Sequence, residues 1–264
     1  MNQNKMYKEM TVYVEACESG SMFENILEDN LNIYAVSAAN SSESSWASYC
    51  GFPNDVVQHI PMMTCLGDLF STNWMEDAEK ANMAKETLND QYSTVMKETS
   101  ASHVLQWGQV SIAAEPIGDF ESGNMQKADN WWANLKSKAK KILKKEKPTF
   151  DKLDSIVNSR DVTLHNLYAE VMASPTTENQ EALKAEVEHR LYIDALFASM
   201  FPQHMEAVKA HTTPLPTNFE CYRTLVETFE ASCERMDDYS LKYMAAFVAE
   251  CETANDSLAG VLAI

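Results

Sequence analysis

The stretch Val12-Tyr13-Val14-Glu15-Ala16-Cys17-Glu18-Ser19-Gly20-Ser21 decides how this chain is read. Its apolar, β-branched lead-in predicts a buried strand. The strand runs into a small-residue turn, Ser19-Gly20-Ser21, and the pattern behind it predicts a helix over Met22 to Glu28. A cysteine at the carboxyl end of such a strand sits where open α/β sheets place their ligands. Helix N-terminal amides nearby would stabilise negative charge on a substrate oxygen. Free cysteine is also often simply buried. The local residues therefore leave two readings open for Cys17, a nucleophile or a structural residue at a strand end.

Working outward, Asn32 to Ser37 is a second buried strand, so strand, helix and strand suggest a parallel βαβ unit. Ala78 to Lys97 is polar with spaced apolar positions (Met83, Leu88, Tyr92, Met96), which predicts a surface helix. Val104 to Ile112 predicts another strand, with Gly108 its weak point. Pro116, Gly118 and Gly123 then break regular structure. A basic run from Leu135 to Lys147 follows, with lysines at 136, 138, 140, 141, 144, 145 and 147. It reads as a patch for an anionic surface or as a solvated linker helix, and the second reading is preferred.

Residues 150 to 264 read as all-helical. Thr177-Glu178-Asn179-Gln180 resembles a capping box. Leu183, Val187, Leu191 and Ala195 repeat every four residues and predict one apolar face. After Pro214-Leu215-Pro216, the set Phe219, Tyr222, Val226, Phe229 and Cys233 marks one helix. Tyr239, Tyr243, Phe247 and Cys251 mark the next, and the two are expected to form an antiparallel hairpin.

At 264 residues the chain can hold one or two domains with a sizeable core. Its formal net charge of -18 argues against non-specific nucleic-acid binding and suits an acidic compartment. No apolar run reaches the roughly 20 residues that a membrane-spanning helix needs. Met1 to Met10 is polar, without the apolar region of a signal peptide.

Glu15-Ala16-Cys17-Glu18-Ser19-Gly20-Ser21-Met22 resembles the nucleophile segment of the legumain family, the asparaginyl endopeptidases among caspase-like cysteine proteases. Further segments match in the same order: Ser37-Ala38-Ala39-Asn40, Glu43-Ser44-Ser45-Trp46, Cys65-Leu66-Gly67-Asp68, Asn73-Trp74-Met75-Glu76-Asp77, Glu86-Thr87-Leu88 and Ser102-His103-Val104. The ordered set covers about residues 5 to 115, and the remainder resembles the family's helical prodomain. The resemblance implies an α/β fold class. Residues 1–115 would be the carboxyl-terminal half of a caspase-like parallel sheet sandwich, 116–149 a linker or activation peptide, and 150–264 an all-α prodomain.

Six cysteines need accounting. Cys17 is the nucleophile that the resemblance implies. Cys50 and Cys65 flank a loop with Gly51, Pro53 and Pro61, and their oxidation would stabilise it by roughly 3 kcal/mol in the chain-entropy model. In the expected hairpin Cys221 and Cys251 lie at the same end. Cys233 lies at the turn end, about 18 Å away at 1.5 Å per residue. A Cys221–Cys251 disulfide is therefore expected, with one cysteine left over. Asn40-Ser41-Ser42 and Asn255-Asp256-Ser257 are glycosylation sequons, which chance also supplies.

By the resemblance, Cys17 attacks the carbonyl carbon after an asparagine and forms a thioester, which water or an amine then resolves. An asparagine pocket must offer acceptors for the amide nitrogen and donors for its oxygen. Glu15, Ser44 and Asp68 match the family's S1 positions, and Ser45 and Trp46 match the adjoining groove. Taken alone, Glu15 reads equally as a strand-end carboxylate paired with a base, and Asp68 as a turn residue. The catalytic histidine, the oxyanion glycine and the S1 arginine match nothing in this sequence, and His103 matches a position that is not catalytic.

The expectation is thus the carboxyl-terminal part of a legumain-like endopeptidase, inactive as a lone chain, with no cofactor and no metal. Its expected partners are protein or peptide substrates with asparagine at the cleavage site and its own prodomain as inhibitor, with no nucleic acid and no membrane span. The family location is lysosomal, vacuolar or secreted. Family members cut themselves near the start of the helical domain; spacing from Leu183 puts Pro175 there, with Asn158, Asn166 and Asn179 nearby. The alternative is a non-catalytic homologue that restrains an intact relative through the prodomain.

Overall fold

The computed structural model describes residues 1–121, 155–233 and 235–253. The lysine-rich run and the sequon at Asn255 lie outside them. The chain divides into two compact units, Met1–Ser159 and Arg160–Ile264. The strands of the first unit are β1 (Met10–Val14), β2 (Ile33–Ser37), β3 (Trp46–Ser48), β4 (Val56–Val57), β5 (Ile60–Pro61), β6 (Gly67–Asp68), β7 (Leu105–Gly108) and β8 (Val157–Asn158). Its helices are α1 (Leu69–Lys80), α2 (Leu88–Glu98) and α3 (Gly118–Glu121).

β1 and β2 pair in parallel, with Val12 opposite Ala35. β2 is buried along nearly its whole length, as its unbroken apolar run requires of a central strand. Its other neighbour, β7, is antiparallel, so the described sheet is mixed, ordered β1-β2-β7. β7 stops at Gly108, short of the expected Ile112. Gly108 takes φ +71°, and a Cβ there would meet the Ile33 carbonyl oxygen at 2.5 Å. The chain then turns into a 3-10 helix over Val110–Ala114.

The β1–β2 connection is not the helix expected over Met22–Glu28. It is a 3-10 turn, Ser19–Met22, followed by turns in which Asn25 has φ 58°. A positive φ breaks a right-handed helix, and asparagine tolerates it. The single helix expected over 78–97 is two. α1 ends where Ala81 turns extended, and α2 restarts at Thr87, whose side chain and that of Asp90 form a reciprocal capping box. Leu88, Gln91 and Val95 make the buried face of α2. Leu88 and Val95 join Tyr34, Val36, Phe70, Val104, Ile112 and Ile117 in one core. Tyr13 extends it by stacking on Trp74, with ring centroids 5.0 Å apart.

A second small sheet, β6-β3-β8, is antiparallel throughout. Its third strand lies in a stretch that read as helical. Two residues are too short to show a period, and only pairing with β3 makes them a strand. The Cys50–Cys65 disulfide closes the loop that bears the β4–β5 hairpin.

The second unit is helical: α4 (Val162–Ala173), α5 (Thr177–Met200), α6 (Met205–Lys209), α7 (Phe219–Ser232) and α8 (Met244–Thr253). The cap of α5 is Thr176, which accepts from the Asn179 N–H, one residue before the expected box. The buried face of α5 is also not the expected one. Arg190, Ile193 and Phe197 are buried, while Leu191 is 63% exposed. Aromatic mass decides this. Phe197 is fully buried and stacks on Tyr243 at 4.5 Å, with Phe201, Phe229 and Phe247 around it. Buried Arg190 is paired with Glu186 at 2.7 Å and Asp161 at 2.6 Å. α7 and α8 are clamped by a Cys221–Cys251 disulfide, and Cys233 is an exposed free thiol.

Phe197→Ala would leave a cavity inside this aromatic cluster and should destabilise the second unit by about 3–5 kcal/mol. Urea unfolding of the intact chain, followed by tyrosine and tryptophan signals, measures this, and a loss under about 1 kcal/mol would contradict the packing described.

Candidate functional site

The site is assembled where β1 ends. Glu18, at φ 51°, turns the chain out of the sheet into the 3-10 segment. That turn is pinned to the end of β2. The Gly20 N–H donates to the Ala39 carbonyl at 3.0 Å, and the Ala39 N–H donates to Ser19 Oγ at 3.1 Å. A Cβ on Gly20 would lie 2.8 Å from the Asn40 carbonyl carbon, so only glycine permits this approach. Glu43 closes the arrangement. Its carbonyl accepts the Glu18 N–H at 2.7 Å, and its carboxylate accepts the N–H groups of Asn40 and His103. Burial pushes the Glu43 carboxyl upward, but these donors and the His103 ring outweigh it and hold it below the usual carboxylate range.

Cys17 therefore stands at the strand end, half-buried and not disulfide-bonded. The Ser45 N–H donates to its sulfur at 3.3 Å, and Ser45 Oγ lies 3.7 Å from it. Ser44 precedes Ser45 in the loop and is half-buried. Trp46 opens β3 and is half-buried too. His103 precedes β7 as an exposed residue, its Nδ1 2.8 Å from Glu43.

Glu15 and Asp68 meet beside this point. The N-terminal turn of α1 has Asp68 at its cap position, yet the Asp68 side chain makes no cap bond. Glu15 does so instead, from β1: the Ser71 N–H donates to Glu15 Oε2 at 2.7 Å. The other oxygen, Oε1, is buried with no hydrogen-bond partner. Burial raises the Glu15 carboxyl to about 7; the bond from Ser71 opposes this, and the charge of Asp68 adds to it. Burial also raises Asp68, against a hydrogen bond from Ser159. The result is a pair of neighbouring carboxyls, both held above their usual range, with one unpartnered buried oxygen on Glu15, two residues before the thiol.

A segment of the chain itself lies along the site. β8 pairs antiparallel with β3, Asn158 opposite Trp46 and Val157 opposite Ala47. The pairing is closed at one end by the Ser159 N–H donating to the Ser45 carbonyl at 3.1 Å. At the other end the Cys50 N–H donates to the Ser155 carbonyl, also at 3.1 Å. Ser159 Oγ is 3.0 Å from Ser45 Oγ. Sequence reasoning found Glu15, Cys17, Ser45 and Asp68, which gather here, but not Ser159 or the role of Glu43. Glu43 was visible only as part of a motif. Ser159 carried no signal, because its place is set by pairing with a strand more than a hundred residues away.

Cys50 and Cys65 lie at the far end of β3, where their loop exposes Phe52 (78%) and Ile60 (63%). Cys221 and Cys251 belong to the second unit. Among the described residues, no group of three or more histidine, cysteine or acidic side chains could hold a metal ion. No helix there is long and apolar enough to cross a membrane.

Comparison with known proteins matches residues 1–124 to the peptidase C13 family and residues 176–259 to the legumain prodomain. The vacuolar-processing enzyme beta-isozyme of Arabidopsis thaliana is 37% identical over 93% of this chain and 51% of its own length. The delta-isozyme of the same plant is 34% identical over 100% of this chain and 58% of its own. The vacuolar-processing enzyme of Vicia sativa is 34% identical over 93% of this chain and 52% of its own. The chain thus spans about half the length of the curated relatives that it matches.

The raised Glu15 carboxyl fixes a sign. Its folded value of about 7 exceeds the ordinary 4.5, so its contribution to stability is complete below pH 4.5 and is lost as pH rises through 7. The loss is on the order of 2–3 kcal/mol. Glu15→Gln keeps an acceptor for the Ser71 N–H and does not titrate. The variant should lose less melting temperature than the parent between pH 4.5 and pH 8. Glu86, raised by burial and its bond to Asp77, leaves a residual slope in both proteins. Identical slopes in calorimetry would remove Glu15 from this role.

Proposed function

Residues 1–124 belong to the peptidase C13 family and residues 176–259 to the legumain prodomain family; on that premise we propose that Cys17 is the nucleophile of an asparagine-directed cysteine endopeptidase. The observation that carries the reading is the orphaned, buried Oε1 of Glu15, next to Asp68 and two residues before the thiol. A buried acceptor without a partner is costly unless a ligand supplies one. An asparagine side chain does so. Its NH2 group donates to Glu15 Oε1 and to Asp68, and a hydroxyl can donate to its oxygen. Leucine of similar size would leave the carboxyl oxygen orphaned, and such mismatches discriminate strongly.

In the proposed reaction the Cys17 sulfur attacks the carbonyl carbon of the bond after asparagine. The C–N bond breaks, the amine leaves with a proton, and water hydrolyses the thioester. Ser45 holds the sulfur through its N–H and lines the groove with Trp46; Ser44 flanks the pocket. His103 is not assigned as the base: its hydrogen bonds run to Glu43 through its backbone N–H and Nδ1, and the contacts of the Cys17 sulfur are with Ser45. We assign residues 1–115 to the peptidase part, 116–149 to a linker and 150–264 to the prodomain. The prodomain part acts as an inhibitor, a reading supported by the strand at residues 157–158 lying along β3. The partners are protein or peptide substrates, and the compartment is the vacuole or lysosome, in keeping with the names of the relatives.

A peptidyl electrophile bearing asparagine at its reactive position should label Cys17 at pH 5.5 at least tenfold faster than the leucine analogue. Glu15→Ala should remove most of that preference, and Cys17→Ala all labelling at this site. Mass spectrometry of the tryptic Cys17 peptide reads the result. Equal rates for the two probes would sink the asparagine pocket.

A further inference from the structure

The turn that follows β2 carries a motif that the proposed reaction leaves unused. Asn40-Ser41-Ser42 is a glycosylation triplet, and chance supplies such triplets often. Its folded geometry narrows the reading. The Ser42 N–H donates to Asn40 Oδ1 at 2.8 Å, and the Ser42 hydroxyl donates to the same oxygen at 3.2 Å. A backbone N–H can only donate, so the Asn40 atom that faces it is the oxygen and the NH2 end points away. That NH2 group donates to nothing among the described residues. Nor is it one of the buried polar atoms left without a partner, so it is open to solvent.

The fold does not need this amide. Asn40 is held by its main chain: its N–H donates to Glu43 Oε1 at 2.8 Å, and its backbone lies against Gly20. Ser41 turns its hydroxyl to the Glu24 carboxylate, while Ser42 is exposed. A turn of this kind spans three residues and rests on its own hydrogen bonds, so it can form before the rest of the unit folds. A modification made on an entering chain requires that.

We propose that Asn40 is an N-glycosylation site that takes an oligosaccharide from a lipid-pyrophosphate donor. The amide nitrogen attacks the anomeric carbon of the donor sugar. A C–N bond forms and the bond to the pyrophosphate oxygen breaks. The lipid pyrophosphate leaves with the electron pair, and the nitrogen gives up one proton. A linked glycan is bulky and stays in solvent, as the open NH2 group allows. The inference rests on the vacuolar or lysosomal compartment proposed above and is independent of the asparagine pocket. The Cys50–Cys65 and Cys221–Cys251 disulfides belong to the same oxidising route. The sugar roots on the loop that leads to Ser44, Ser45 and Trp46, yet the Asn40 side chain bonds only to Ser42, so glycan and nucleophile are compatible.

The test uses the full chain behind a secretion leader, produced in insect cells. Enzymatic glycan release in heavy-oxygen water converts a glycosylated asparagine to a labelled aspartate, which peptide mass spectrometry reads; a digest without the enzyme sets the background. At least half of the Asn40 peptide should carry the label. Ser42→Ala should lower it at least tenfold, and Ser42→Thr, which keeps the hydroxyl, should hold it at the parent level or above. An unreduced digest of the same sample reports the two disulfides, and their presence shows that the chain folded in an oxidising compartment. Less than a tenth of labelled Asn40 peptide in that oxidised chain would overturn the proposal. A label confined to Asn255, whose triplet lies outside the described residues, would do the same. An unlabelled chain without the disulfides would overturn the compartment along with the site.

Discussion

The first turn of α1 is capped from outside itself, and the site follows from that one bond. A helix start leaves N–H groups that need acceptors, and a side chain at the cap position ordinarily supplies one. Asp68 holds the cap position and does not use it; Glu15, at the end of β1, reaches Ser71 instead. Two consequences follow. The strand end and the helix start are locked together, which fixes Cys17 two residues on. Asp68 is released to face the groove, where it accepts from Ser159. The same bond brings Glu15 under α1 far enough that burial outweighs the favourable helix N-terminus, so its carboxyl rises to about 7.

Ser45 is the second joint. Its N–H holds the Cys17 sulfur, its carbonyl accepts from Ser159, and its hydroxyl lies between the two side chains. One buried residue thereby couples the Cys17 sulfur to the strand that lies along β3. Disturbing Ser45 would act on Cys17 and on the β3 edge together, whereas Glu15 and Asp68 sit at the start of α1.

Much of this was legible in the chain because it is local. Val12–Val14 and Asn32–Ser37 are apolar runs whose length and branching say strand, and Glu15 and Cys17 inherit their places from the first. The α7–α8 hairpin was legible from spacing, and with it the relation of Cys221 to Cys251. What failed depended on competition between faces or on distant pairing. On α5 the small and medium apolar residues advertised one face, but Phe197 and its aromatic neighbours bury more surface and took the interior. The break between α1 and α2 turned on the Thr87–Asp90 capping box inside an otherwise helical pattern.

Residues 155–159 are the clearest case of the second kind. Nothing in Ser-Ile-Val-Asn-Ser distinguishes a strand from a loop, and propensity on so short a segment carries little weight. The information lies on the other partner. β3 already uses one edge for β6, and its remaining edge offers carbonyl and N–H groups that need acceptance or donation from somewhere. Cys50 is anchored through the disulfide and Ser45 through its bond to Cys17, so that edge is held at both ends. An edge held at both ends fixes the register of the strand paired on it, and that is why two residues with no strand signal of their own pair as Val157 with Ala47 and Asn158 with Trp46.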